Sequence, residues 1–202
     1  MRRIGLFGGA FDPPHDAHVA LACAAVEQLR LDRLHIVPTG RAWHKSQTLS
    51  AAVHRLAMCR LAFGALPKIL IDQRELERGG PSYTIDTLSE LRAQYPDAEL
   101  FLLIGADQAA AFHTWRRAGE IVLLVTPVIA VRADAGSAAA VFDPAHPLPG
   151  MTVDPACVRV LQLPAMPHSA TEVRGLVVAR QPFDHLVPAP VAGYIAEHHL
   201  YL

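Results

Sequence analysis

The sequence predicts a doubly wound α/β fold around a mostly parallel sheet, on three observations. Short runs rich in Ile, Leu, Val and Phe alternate with stretches of helical character along most of the chain. One run, Glu99 to Gly105 (ELFLLIG), is almost continuously apolar, as a strand covered on both faces of a parallel sheet must be. The chain has 202 residues, about half of them apolar and 18% charged, which suits one globular domain and excludes a disordered chain. We find no internal repeat and no sign of a second domain, so residues 1–202 are expected to form one unit.

The elements follow in order. Arg3 to Phe7 reads as a buried strand entering a loop, Gly8 to Pro14, and then an Ala-rich helix over about His18 to Arg30. A second strand covers Leu34 to Val37, and loop 38–48 carries His44 and Lys45. Ser50 is the expected N-cap of a helix through Phe63 that holds Arg55, Met58 and Cys59. Lys68 to Asp72 is a third strand, Thr84 to Tyr95 a third helix, and Glu99 to Gly105 the next strand. Between Arg117 and Arg132 a helix should give way to a strand near Val128 to Val131. Residues 133–156 read as a surface loop, followed by a strand over Val158 to Leu163. A helix should start near Ser169, and a last one should span Ala189 to His198.

Composition excludes several classes of function. Eighteen Lys+Arg against nineteen Asp+Glu leave a net charge of −1, too balanced to hold a nucleic acid polymer by a diffuse basic field. Cys23, Cys59 and Cys157 are widely spaced and odd in number, which indicates neither a zinc site nor a disulfide framework. The N-terminus reaches Gly8 and Asp12 too soon for a signal-peptide apolar region, and Ile121 to Val131 is too short for a membrane span. A cytoplasmic protein without a membrane role is the expectation.

The chemistry should sit beyond the carboxyl ends of the strands. There Gly8 and Gly9 let the backbone approach a ligand, and the following helix N-terminus offers N–H groups and a positive dipole to phosphate. His15 and His18, three apart, face one side if a helix begins there. Taken alone they also read as surface histidines, or as a metal fragment lacking a third ligand. Ser169-Ala170-Thr171-Glu172-Val173-Arg174 opens a later helix with hydroxyls and a guanidinium, an anion cradle or simply a capped helix with an exposed Arg.

Together these stretches carry a resemblance. GGAFDPPHDAH resembles the GG[TS]FDPxHxGH signature of the nucleotidyltransferase superfamily, and SATEVR resembles its SxTxxR motif. The likeness extends to the bacterial nicotinate-nucleotide adenylyltransferases. GPSYTIDTL (80–88) resembles their GPSYTxDTL, and Ile104-Gly105-Ala106-Asp107 with Phe112 and Trp115 resembles their IGADxxxxFxxW. Pro38 with His44-Lys45, and Tyr194-Ile195 with Leu200-Tyr201, complete the set. Three departures stand out: Ala17 for glycine, Ala10 for a hydroxyl residue, and Arg-Ala-Asp after Val131 for Arg-Pro-Gly.

The resemblance implies a Rossmann-like nucleotidyltransferase fold and adenylyl transfer from ATP to nicotinate mononucleotide in NAD biosynthesis. It implies catalytic roles for His15, His18 and Arg174. ATP would be held by those residues with Gly8, Gly9, Phe11, Gly105, Asp107, Ser169 and Thr171, and Asp107 is otherwise an N-cap. Lys45, Tyr83, Thr84 and Trp115 would hold the mononucleotide, and Mg²⁺ would ride on the ATP phosphates. The other histidines have no motif and read as structural or surface, His168 being set apart by its place before Ser169. Phosphopantetheine adenylyltransferases share the first and last motifs but lack the SYTxDTL and GAD…W elements. A nucleotide-binding protein that has lost turnover is the other reading.

Overall fold

The computed structural model describes residues 1–40, 49–132, 142–164, 166 and 168–202. Among them the apolar runs become strands β1 (Arg3–Gly9), β2 (Arg33–Pro38), β3 (Ile69–Ile71), β4 (Glu99–Gly105), β5 (Thr126–Arg132) and β6 (Arg159–Leu163). Every pairing is parallel, in the spatial order β3-β2-β1-β4-β5-β6. The chain builds outward from β1, returns to the middle, and builds outward again from β4. At that reversal the loops leave in opposite directions, and a crevice opens beyond the carboxyl ends of β1 and β4.

Eight helices are described: α1 (Asp16–Gln28), α2 (Ala52–Phe63), α3 (Arg74–Glu77), α4 (Thr84–Gln94), α5 (Ala106–Ala110), α6 (Ala118–Leu124), α7 (Ala170–Val178) and α8 (Ala189–Glu197). Side chains alternate across the sheet as strand geometry requires. Ile4, Leu6, Leu102 and Ile104 pack with Leu88 of α4 and Ile121 of α6, while Phe7, Phe101, Leu103 and Val128 pack with Leu21 of α1 and Phe63 of α2. A third cluster joins Met58 of α2 to Val173 of α7 and Val191 and Ile195 of α8. Each such fully buried side chain contributes about 1.5–3 kcal/mol.

Some expectations need correction. Ser50 is not a helix cap: α2 begins after Ala51, and the Ser50 N–H is spent on Asp12 Oδ2 at 2.8 Å. The short helix α3 has no counterpart among the expected elements, because four residues show no period. Lys45 and His44, and residues 133–141 of the expected surface loop, lie outside the described residues. Within that loop, Leu148 is buried and Pro155–Cys157 form a 3₁₀ turn.

His35 is a structural histidine, as expected of those without a motif. It is fully buried, its Nδ1 lies 2.7 Å from Asp72 Oδ2 and its Nε2 lies 3.3 Å from Tyr95 Oη. Burial alone raises the Asp72 carboxyl, but hydrogen bonds from His35 and Arg74 outweigh it and hold the group well below the usual carboxylate range. This network fastens α3, and with it the chain entering the Gly80–Tyr83 loop, to the end of β3.

Candidate active site

The crevice is a cleft of about 850 Å³. It is lined by all thirteen described residues that the sequence assigns to the site: Gly8, Gly9, Phe11, His15, His18, Tyr83, Thr84, Gly105, Asp107, Trp115, Ser169, Thr171 and Arg174. They divide between one end at the β1–α1 loop and the α7 N-terminus and another at the α4 N-terminus and Trp115.

The first of these ends begins where β1 stops. A Cβ on Gly8 would meet only the Val37 carbonyl, at 4.0 Å, and one on Gly105 would meet nothing within 4 Å, so both glycines leave open space above the strand ends. Gly9 answers a different need: a Cβ there would lie 3.0 Å from the Phe11 ring, which tucks under the loop. Phe11 itself has φ +47°, a left-handed backbone unusual for a non-glycine residue. Its ring lies 5.4 Å from Phe7, 5.7 Å from Phe63 and 5.1 Å from the His18 ring, centroid to centroid.

His15 caps α1 and is 6% exposed. Its ring stacks on His18 at 3.7 Å, and its backbone N–H donates to His18 Nδ1 at 3.2 Å. Because Nδ1 accepts, the proton of a neutral His18 ring sits on Nε2, where it can be donated to an anion. Across the cleft, Ser169 caps α7 by accepting from the Glu172 N–H at 3.1 Å, leaving that helix N-terminus facing the same space. Arg174 reaches back to Thr171 Oγ1 at 3.3 Å and donates to the Asp12 carbonyl at 2.7 Å.

Arg55, which the sequence showed only as a residue of a helix, holds this loop from beneath. It is 3% exposed, and its guanidinium donates to the carbonyls of Ala10, Thr39 and Ser50 at 3.0, 2.8 and 3.0 Å. Burial lowers its pKa and the nearby Asp12 charge pulls it back. An arginine so placed binds three carbonyls that burial would otherwise leave costly. No sequence motif marks it, because its partners lie five to forty-five residues away.

At the other end, Tyr83 caps α4, and the first-turn amides of Thr84 and Ile85 have no intrahelical acceptor. Trp115 follows a 3₁₀ turn over Phe112–Thr114, half-buried, with its ring 5.0 Å from Phe112. The Arg116 guanidinium lies 4.5 Å over the Tyr83 ring, close enough for a cation–π contact. Asp107 is in the first turn of α5, but the N-cap is Gly105, so the expected capping role falls away.

Glu75 also lines the cleft, unannounced by any motif. It is buried, which pushes its carboxyl up, and it accepts from Thr87 Oγ1 at 2.8 Å and from the Gly40 N–H. A Cβ on Gly40 would press on the Glu75 carbonyl and come within 2.6 Å of Ser82 Oγ, so glycine is required at this crossing. His168 lines the cleft as well, making it the one motif-free histidine that reaches the site among the described residues. Among those residues no group of three His, Cys, Asp or Glu is placed to hold a metal ion, and no helix is long and apolar enough to cross a membrane.

Comparison with known proteins places these features in a family. Residues 6–176 match the cytidylyltransferase-like family. A protein of Albidiferax ferrireducens named as a probable nicotinate-nucleotide adenylyltransferase is 51% identical over 201 residues, covering 100% of this chain and 98% of its own. A protein of Bordetella petrii with the same name is 42% identical over 203 residues, covering 100% of both chains. Among solved structures, the Plasmodium falciparum nicotinic acid mononucleotide adenylyltransferase complexed with NaAD has a TM-score of 0.74 over 100% of this chain and 98% of its own. Its sequence identity is 17%, so that likeness is one of fold.

Proposed function

The chain belongs to the cytidylyltransferase-like family and, within it, to the nicotinate-nucleotide adenylyltransferases, and from that premise we propose how its cleft works. The enzyme transfers the adenylyl group of ATP to nicotinate mononucleotide, giving deamido-NAD (nicotinate adenine dinucleotide) and pyrophosphate in NAD biosynthesis. One observation carries the site assignment. A stacked His15–His18 pair faces the capped N-terminus of α7 and Arg174 at one end of a cleft whose other end offers the α4 N-terminus and Trp115.

A phosphate oxygen of the mononucleotide attacks the α-phosphorus of ATP. A new P–O bond forms, the bond to the bridging oxygen breaks, and its electrons leave with pyrophosphate. The nucleophile is already an oxyanion, so no general base is needed, and catalysis rests on alignment and charge stabilisation. His18 Nε2–H and His15 stabilise charge at the α-phosphate and the leaving group, and Arg174, Ser169, Thr171 and the α7 N-terminus hold the outer phosphates. Gly8, Gly9 and the Phe11 backbone border the triphosphate, Gly105 gives room to the ribose, and Asp107 accepts from its hydroxyls. Lys45, outside the described residues, holds phosphate from the loop side.

The family's use of ATP calls for a divalent cation, and we assign Mg²⁺. Asp12, the acidic group of the β1 loop, has both oxygens engaged, by Tyr201 Oη and the Ser50 N–H. The donors facing this end of the cleft thus suit an ion that arrives on the phosphates. Bound there, Mg²⁺ supplies charge neutralisation across the ATP oxygens. One nucleotidyltransferase domain spanning residues 1–202 accounts for all these parts. A cytoplasmic setting suits the ATP requirement and the free cysteines Cys23, Cys59 and Cys157.

The pyridine ring stacks on Trp115 with Tyr83 beside it, and its carboxylate takes N–H groups of Thr84 and of Arg116 after Trp115. Glu75 is an acidic residue lining the cleft, and its bonds to Thr87 and Gly40 commit it to the chain's own donors. An amide would set its NH₂ against donors, a mismatch costing about 1–3 kcal/mol when buried. The test is incubation with ATP, Mg²⁺ and either pyridine mononucleotide, measuring dinucleotide and pyrophosphate. We expect equal amounts of both products and a kcat/KM at least about tenfold higher for the nicotinate form. ATP binding without dinucleotide would overturn the assigned reaction, whereas equal kcat/KM would overturn only the donor-lined pocket.

A further inference from the structure

On the adenylyl-transfer reading, we propose that Tyr201 is a positioning residue for the phosphate-binding loop, acting through Asp12. Tyr201 lies in the turn after α8, with φ +69°, and its Oη donates to Asp12 Oδ1 at 2.7 Å. Burial first, and then Asp12, push the Tyr201 hydroxyl up, so it remains a donor across the working pH range. Asp12 is 4% exposed, its Oδ2 takes the Ser50 N–H at 2.8 Å, and its carbonyl takes Arg174 at 2.7 Å. Three elements distant in sequence therefore meet on one residue of the loop between β1 and α1.

The chemistry gives this meeting a purpose. Asp12 lines the cleft that is to receive a triphosphate, so its negative charge must be held aside. Tyr201 and Ser50 do so by giving each carboxylate oxygen a donor on the side away from ligand. With the Tyr201 hydroxyl gone, one buried carboxylate oxygen has lost its partner, and it recovers solvation by turning toward the cleft. That motion brings repulsion to the ATP phosphates and shifts the backbone leading into His15. The mononucleotide end, set by α4 and the turn before Trp115, is not involved.

The test compares Tyr201→Phe, which keeps the ring, with Tyr194→Phe. Tyr194 is on α8 and meets His54 Nδ1 at 3.0 Å without reaching the loop. Tyr201→Phe should lower kcat about tenfold and raise KM for ATP, with KM for nicotinate mononucleotide nearly unchanged. Tyr194→Phe should leave kcat unchanged. In an Asp12→Asn background, Tyr201→Phe should add less than about twofold, because the two act as one unit. Independently of turnover, hydrogen exchange at the His15 and Ser50 amides should quicken about fivefold in Tyr201→Phe alone. Normal kcat and KM in Tyr201→Phe, an equal loss in Tyr194→Phe, additivity with Asp12→Asn, or unchanged exchange would each overturn the assignment. If the unmodified chain made no dinucleotide, the functional reading would fall while the exchange comparison still decided the role of Tyr201.

Discussion

At the end of the cleft assigned to phosphate, side chains from positions 55 and 174 hold the carbonyls of Ala10 and Asp12, and the Tyr201 hydroxyl holds the Asp12 carboxylate, each bond crossing dozens of residues of sequence. At the ring end, Tyr83 and Trp115 are set by turns that close locally: Asp86 N–H to the Tyr83 carbonyl at 3.1 Å, Trp115 N–H to the Phe112 carbonyl at 2.9 Å. The difference tracks the work each end is assigned. Charge stabilisation at a reacting phosphorus demands placement to a fraction of an ångström, which distant cross-ties supply. A stacked ring tolerates more play, and a locally made surface is enough for it.

This contrast makes the ends separable by mutation. The largest effect is expected from His18→Ala, which removes the donor proposed to act at the reacting centre. It should lower kcat by at least about 10²-fold in a folded protein, with little change in KM for the mononucleotide. Single-turnover rates with circular dichroism as a folding control check it, and near-normal turnover would remove His18 from the chemistry. A smaller effect is expected from Trp115→Ala. Loss of stacking, about 1–3 kcal/mol for a base on an aromatic ring, should raise KM for nicotinate mononucleotide roughly tenfold and leave kcat within a few-fold. If Trp115→Ala lowered kcat as severely as His18→Ala, the division between the two ends would fail.

The smallest effect belongs to Ala17, in the first turn of α1, buried and lining the cleft. Where related signatures have glycine, its methyl group would, on the proposed reading, narrow the approach to the stacked histidines. Ala17→Gly should lower KM for ATP or raise kcat by about twofold, at a stability cost of up to about 1 kcal/mol from helix propensity. Thermal melts and ATP titrations resolve both. Unchanged ATP kinetics would show that the methyl does not touch the ligand's path.

How much of this was legible in the sequence follows the same division. Glu99 to Gly105 and Ser169 declared themselves because periodicity, apolar runs and caps are local signals, and both stand where expected. Every described site residue named from a motif lines the cleft. The groups behind them left no local trace. Arg55 looked like any helical arginine until three carbonyls converged on it, and Glu75 like a charge between elements until Gly40 and Thr87 closed over it. Ser50 was misread for the same reason, its serine suiting a cap while the fold used its N–H elsewhere.

Phe11 carries a consequence in time. Its ring is buried beneath the loop it belongs to, 2% exposed, between Phe7 and Phe63. For the loop to lift, a phenyl group must leave the core, at a cost of about 3 kcal/mol. An unanchored surface loop rearranges in nanoseconds to microseconds, whereas one riveted in this way lifts more than a hundredfold less often on energetic grounds alone. An arriving nucleotide therefore meets amides already in place and forfeits little entropy in ordering them. The pace of substrate entry and product departure is left to other walls of the cleft.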